Sequence, residues 1–168
     1  DGKTQIRMRM IDTVGYMVDG AVGADEDGNP RMITTPWFDH EIPMTQAAEL
    51  GTKKVMQEHC SIGLVVTTDG TITDIPRADY EDAEAKSIRD MQRTGKPFLV
   101  VINSRNPGSA EAKAVQQRIA QDFGIHAHIA DCFHDGFFSV RMNDDHHAAA
   151  GNQTQIVDTE VIADLSCH

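Results

Sequence analysis

Cationic residues are scarce in this chain. The sequence has 15 Lys and Arg against 26 Asp and Glu, a formal net charge of −11 at pH 7. A surface this acidic repels the phosphates of nucleic acid and of anionic membranes on average. No local cluster of Lys and Arg offsets it, so nucleic-acid binding is excluded as a principal role. Long apolar runs are also missing: no stretch of about 18 residues is apolar enough to read as a transmembrane helix. Cysteine is sparse and odd in number. Cys60, Cys132 and Cys167 make no disulfide framework and fit a reducing cytosol. No signal peptide opens the chain, and its first residue is Asp1 rather than Met. The expectation is a chain that begins inside a longer protein or has been processed.

What is present is ordinary for a folded domain: 40% hydrophobic and 24% charged residues over 168 positions, enough for one core and short of two. Ile6, Met8 and Met10 alternate with Arg7 and Arg9, which predicts a half-buried strand over Gln5 to Asp12. The stretch from Thr13 to Met32, rich in Gly and Asp with a turn at Asp27-Gly28-Asn29-Pro30, reads as a long loop. A helix is predicted over Thr45 to Cys60 with Thr45 as its N-cap. The apolar runs Ser61 to Thr68 and Pro97 to Asn103 predict buried parallel strands. Helices are expected over Asp79 to Thr94, stopped by Gly95, and over Ser109 to Phe123, stopped by Gly124. A weaker strand covers Ile125 to Ala130.

This alternation predicts an α/β domain, a parallel sheet with helices on both faces. Ligands in such sheets sit beyond the C-terminal strand ends. Here those ends carry Asp12, Thr67 to Gly70, and Asn103-Ser104. After Asp131 the periodicity fails, apart from a short strand pattern in Gln155 to Ile162. Residues 132–168 are expected to stay outside the fold, as an inserted segment or a stretch read in the wrong frame. His126, His128, Cys132, His134, His146, His147, Cys167 and His168 crowd this end without a C-x-x-C or other zinc spacing. Solvated loop histidines are the plainer reading. Trp37, the single tryptophan, reads as a packed loop anchor or a contact surface.

Asp12-Thr13-Val14-Gly15 is a D-x-x-G sequence at a strand end. In a phosphate-loop nucleotide hydrolase such an Asp holds the water shell of Mg²⁺ and such a Gly amide faces the γ-phosphate. Taken alone, the four residues also fit a plain turn. At Asn103-Ser104-Arg105-Asn106, where a GTPase carries N-K-x-D, there is neither Lys nor Asp. Asn103 there ties loops together or is simply a strand-end cap.

Longer strings carry more weight. IDTVGYMVDGAVG, PRMITTPWFDHEIP, the run from Ala47 to Glu84 that includes VTTDGTI, and GKPFLVVINSRNP closely resemble the ATPase domain of the stage IV sporulation protein A family. The resemblance runs from about Ile6 to Ala130. It implies a GTPase-like P-loop NTPase fold, truncated at its N-terminus, with residues 1–131 a partial ATPase domain lacking the phosphate-binding loop. It implies ATP and Mg²⁺ as cofactors, Asp12 as catalytic and metal-binding carboxylate, and Gly15 as the γ-phosphate glycine. Asn103 and Ser104 become cofactor-binding candidates, and the lost N-K-x-D fits ATP rather than GTP. It implies ATP hydrolysis that drives self-association into a homopolymer, with other spore coat or membrane-anchoring proteins as partners. The implied location is the mother-cell cytoplasm, peripheral at the forespore outer membrane. Without its phosphate loop the chain alone is expected to be inactive. Two other classes remain open. One is a non-catalytic interaction module of α/β fold. The other is a phosphoacceptor receiver, for which the second acid pair and late Lys are missing.

Overall fold

A computed structural model describes residues 9–18, 21, 25–26, 28–132 and a strand at 156–157. Its elements in chain order are β1 (Met10–Ile11), β2 (Asp25–Glu26), β3 (Asn29–Pro30), β4 (Met32–Ile33) and β5 (Ile42–Pro43). Helix α1 (Met44–Lys54) runs into a π-helical turn at Val55–His59. Then follow β6 (Gly63–Thr68), a 3₁₀ turn at Arg77–Tyr80, α2 (Glu81–Thr94), β7 (Phe98–Asn103), α3 (Ala110–Phe123), β8 (His128–Ala130) and β9 (Ile156–Val157).

The centre is a parallel three-stranded sheet in the order β6-β7-β8. Parallel neighbours need crossover helices, and α2 and α3 supply them. The chain is therefore α/β, as the alternation predicts. The side chains of Val65, Val100 and Ile102 point to one face, where they form a single core with Ile88 and Met91 of α2 and Val115 and Ile119 of α3. Ile88, Ile102 and Ile119 are fully buried, each worth about 1.5–3 kcal/mol relative to exposure. Both helices thus pack on the same face. Leu64, Val66 and Leu99 of the opposite face stay 40%, 55% and 48% exposed.

The expectation of helices on both faces is corrected here. Right-handed crossovers put a helix on the second face only where the strand order reverses. The order β6-β7-β8 advances in one direction, so α2 and α3 fall together. The first strand is corrected as well: Met10–Ile11 pairs antiparallel with β9 rather than joining the parallel sheet. Residues 5–8 of that expected strand lie outside the described residues. So does most of 132–168, apart from Cys132 and β9.

Local chemistry sets the element ends. Ser109 caps α3 by accepting a hydrogen bond from the Ala112 amide at 3.1 Å. Gly95 and Gly124 close α2 and α3 at φ +68° and +69°, where a Cβ is disfavoured. Helix α1 starts at Met44, after Pro43, with no side-chain cap, so Thr45 lies inside the first turn and is not the N-cap. The Met44 amide donates instead to the Arg31 carbonyl at 2.7 Å, a contact set by the β4-β5 pairing. The long loop contains a small β2-β3 hairpin turning at Gly28, φ +78°. At the far end of α1, the Lys96 ammonium donates to the carbonyls of Met56, Gln57 and Cys60 at 2.7–2.9 Å. That closes the π-turn's free carbonyls.

Candidate functional site

Two polar clusters arise from this frame. The first is a groove of about 700 Å³ between the segment after β1, the segment after β4 and one side of α1. It exists because α1 presents small residues there: Ala47, Ala48, Gly51 and Thr52. Trp37 forms the outer wall. Its ring rests on Gly51, where an added Cβ would lie 3.4 Å from the ring, and the Lys54 ammonium sits 5.9 Å from the ring centroid. Trp37 is nevertheless 40% exposed, so it is at once an anchor and an exposed surface.

Asp12 and Gly15 both belong to the segment that forms one side of this groove. Asp12 is exposed, and its Oδ1 accepts the Thr13 amide at 2.9 Å. Gly15 takes φ +79° and donates its amide to the Thr52 hydroxyl at 3.1 Å. Thr35 lines the groove, and its Oγ1 is buried without a hydrogen-bond partner. Such an orphaned hydroxyl is uncommon in a folded protein. Among the described residues lining the groove there is no Lys or Arg.

The segment is fixed by its neighbour. Tyr16 is buried and donates its hydroxyl proton to Asp90 of α2, under the Lys86 ammonium at 4.9 Å. Burial first, then the bond to Asp90, push the Tyr16 phenol well above its usual range. Asp90 also accepts from Arg93 at 2.6 Å. Glu49 of α1 joins Lys53 at 2.7 Å and Lys86 at 2.6 Å. The two helices and the segment are therefore one charged network.

The second cluster lies at the C-terminal ends of β6 and β7. Asp69 is almost fully buried. Its Oδ2 accepts Ser104 Oγ at 2.5 Å, and its Oδ1 accepts Thr71 Oγ1 at 2.6 Å and the Thr71 amide at 3.0 Å. Burial raises the carboxyl, but these bonds outweigh it and hold Asp69 below the usual carboxylate range. Ser104 is fully buried and also accepts the Asn106 amide at 3.0 Å. Asn103 Oδ1 accepts the Cys132 amide at 3.1 Å. Nearby, Thr67 donates to the buried Glu84 at 2.6 Å, and Arg77 binds both carboxylate oxygens at 2.7 and 2.8 Å.

Asp12 lines the groove, Gly15 follows the lining segment without lining the groove itself, and Asn103 and Ser104 belong to the second cluster. None of the second pair lines the groove. Ser104 is committed inside the protein, so it positions a loop and does not itself present a free hydroxyl. Thr35, Thr52, Tyr16 and Asp69 are additions to the sequence reading. Only Asp69 had a signal, as part of the polar strand end Thr67 to Gly70. His126 and His128 stack edge to face at 5.4 Å. Among the described residues no three His, Cys, Asp or Glu are grouped to hold a metal, and no helix is long and apolar enough to cross a membrane.

Comparison with known proteins identifies the frame. Residues 1–137 match the family described as "Stage IV sporulation protein A, ATPase domain". Stage IV sporulation protein A of Bacillus subtilis (strain 168) is 48% identical over 120 residues, 71% of this chain and 24% of that protein. The Bacillus anthracis protein of the same name is 43% identical over 125 residues, 74% of this chain and 25% of its own length. That of Clostridioides difficile (strain 630) is 39% identical over 120 residues, 71% and 24%. The matched region spans about a quarter of the length of these curated relatives. No solved structure matches the chain. The chain belongs to the stage IV sporulation protein A family, and the part of it that matches is the ATPase domain.

Proposed function

We propose that this chain is part of a Mg²⁺-dependent ATPase of the GTPase-like P-loop class. In this reading the phosphate-binding loop comes from sequence outside the 168 residues. The protein hydrolyses ATP to drive its own polymerisation at the forespore surface, on the cytoplasmic, mother-cell side. Other spore coat or membrane-anchoring proteins are its further partners. The observation that carries the reading is that Asp12 and Thr35 both line one groove. One oxygen of Asp12 accepts the Thr13 amide, and its Oδ2 is the oxygen left for a ligand; the Thr35 hydroxyl is an orphan.

That donor set fits Mg²⁺, which takes hard oxygen ligands and asks for only one or two carboxylates beside water and phosphate. Asp12 and the Thr35 hydroxyl would hold it. Bound there, Mg²⁺ neutralises charge developing on the transferred phosphoryl group. The protein's own part is to orient. Tyr16 and Asp90 fix the segment carrying Asp12 and Gly15. Asn103 and Ser104 fix the loop at the ends of β6 and β7, on the nucleotide side in this reading. Among the described residues lining the groove there is no cation for the triphosphate, which is why the reading requires a phosphate loop from elsewhere.

That same lack of a cation favours the second reading, a non-catalytic interaction module. Calorimetry with Mg·ATP separates the two. The complete protein should bind ATP with a Mg²⁺-dependent affinity that Asp12→Ala weakens, while residues 1–168 alone bind none below millimolar concentration. Complete protein that takes up no ATP favours the module.

A further inference from the structure

The groove beside α1 is supplied with charge of one sign. Asp12 is the one charged residue among the described residues that line it. Its Oδ1 accepts the Thr13 amide, and no described Lys or Arg pairs with it. Both lysines of α1 are committed elsewhere: Lys53 holds Glu49 at 2.7 Å, and Lys54 holds Glu58 at 3.4 Å. Lys86 of α2 holds Glu49 as well, at 2.6 Å.

Around this carboxylate the surface is apolar. Val14, Met32, Trp37 and Phe38 are all exposed. Val14 and Trp37 line the groove; Met32 and Phe38 adjoin the lining residues Ile33 and Trp37 in the chain. Ala47, Ala48 and Gly51 add a smooth wall from α1. Exposed apolar side chains gathered at one place mark a contact surface, and tryptophan is among the residues that dominate such contacts.

Asp12 restricts what can cover this surface. An apolar segment would take the carboxylate out of water unpaired, which is costly. An acidic segment would bring like charge to a chain that already carries −11. A Lys or Arg meets both conditions, because its stem lies on apolar surface while its head group stays polar and can reach the free Oδ2.

We propose that this groove docks a partner protein through a segment that carries a Lys or Arg between apolar residues, with the basic head group on Asp12 and the apolar flanks on Trp37 and Phe38. The inference does not rest on the nucleotide reading. Asp12 serves either the basic head group or a metal, so in a protein that binds Mg·ATP the two occupants compete.

The test uses the complete protein and a dye-labelled, end-capped peptide with one Lys between leucines, followed by fluorescence anisotropy. Control peptides carry norleucine or Glu in place of the Lys. The Lys peptide should bind, and the Glu peptide should not. Asp12→Asn, which can still accept the Thr13 amide, should weaken the Lys peptide about two- to fivefold, the worth of one exposed ion pair. Trp37→Ala should weaken it at least about fivefold, as the loss of an aromatic anchor; should that variant not fold, Asp12→Asn decides alone. Asp39→Asn removes a fully exposed charge next to Phe38 and outside the lining, and should leave the affinity unchanged. No binding of the Lys peptide overturns the proposal. So does a norleucine peptide that binds as tightly, which leaves only apolar adhesion, and so do equal losses in Asp12→Asn and Asp39→Asn, which leave only the general pull of an acidic chain. In a protein that binds Mg·ATP, peptide affinity unmoved by saturating Mg·ATP overturns the proposal and leaves the nucleotide reading standing. A protein that binds no nucleotide and still shows the Asp12→Asn loss supports the proposal and sinks the nucleotide reading alone.

Discussion

The Tyr16 hydroxyl donates to Asp90, 74 residues later in the chain. This bond fastens the segment that follows β1 to helix α2, and Lys86 lies over the same ring. The D-x-x-G sequence is held in place by this contact, since its own residues are largely exposed or partly so.

Tyr16→Phe should cost about 1–2 kcal/mol, because the Asp90 carboxylate loses a donor in a mostly buried place. The pH dependence follows from the raised phenol. A group whose folded value lies above its unfolded one stabilises at pH below the unfolded value and loses that contribution as pH rises. For Tyr16 the loss begins above about pH 10. Urea unfolding from pH 8 upward should show stability falling past that point in the parent and a shallower fall in Tyr16→Phe. Identical slopes would remove Tyr16 from the alkaline limb.

Glu84→Ala should be among the most damaging changes away from the groove. It strands Arg77, whose Nη2 is bound to both carboxylate oxygens, and Thr67 of β6. Two Arg77 nitrogens, Nε and Nη1, are already buried without partners, so the guanidinium has nowhere to turn. Breaking one side of a buried pair costs about 3–5 kcal/mol. Thermal unfolding that shifts by less than the equivalent of about 1 kcal/mol would show that water replaces the pair.

Asp69→Asn should flatten the acid limb. A carboxyl held below its unfolded value stabilises at pH above about 4 and loses that contribution as pH falls through its folded value. The amide cannot accept from Ser104 and Thr71 through both of its former oxygens. The parent should lose stability from about pH 4 downward, and the variant should begin lower and fall less. Equal acid limbs in a denaturant titration would contradict this.

Much of the frame is legible because its signals are local. Gly95, Gly124 and Ser109 mark helix ends by their own conformations, and the apolar runs around Val65 and Val100 mark strands. What is not legible depends on distant partners. Thr45 has the chemistry of an N-cap, but α1 is started by Pro43 and by the Met44 amide bonding to Arg31. The face on which α2 and α3 lie depends on strand order, which no periodicity records. Thr52 reads as an ordinary mid-helix residue because its partner Gly15 is 37 positions away. Thr35 stands out only once its hydroxyl is seen to be buried and unpartnered. Ser104 reads as a ligand-side hydroxyl until Asp69 is found holding it.

The central claim is that Asp12 serves the metal, and phosphate release at saturating Mg·ATP tests it most directly. The measurement is made on the complete protein, with Asp12→Ala beside the exposed control Asp25→Ala. Asp12→Ala should leave thermal stability within about 0.5 kcal/mol of the parent, as an exposed side chain outside the core, and lower the rate by at least about a hundredfold, the loss of one strong electrostatic contact at the transition state. Asp25→Ala should hydrolyse like the parent. Near-parental phosphate release from a folded Asp12→Ala protein would contradict the account and leave Asp12-Thr13-Val14-Gly15 as a turn.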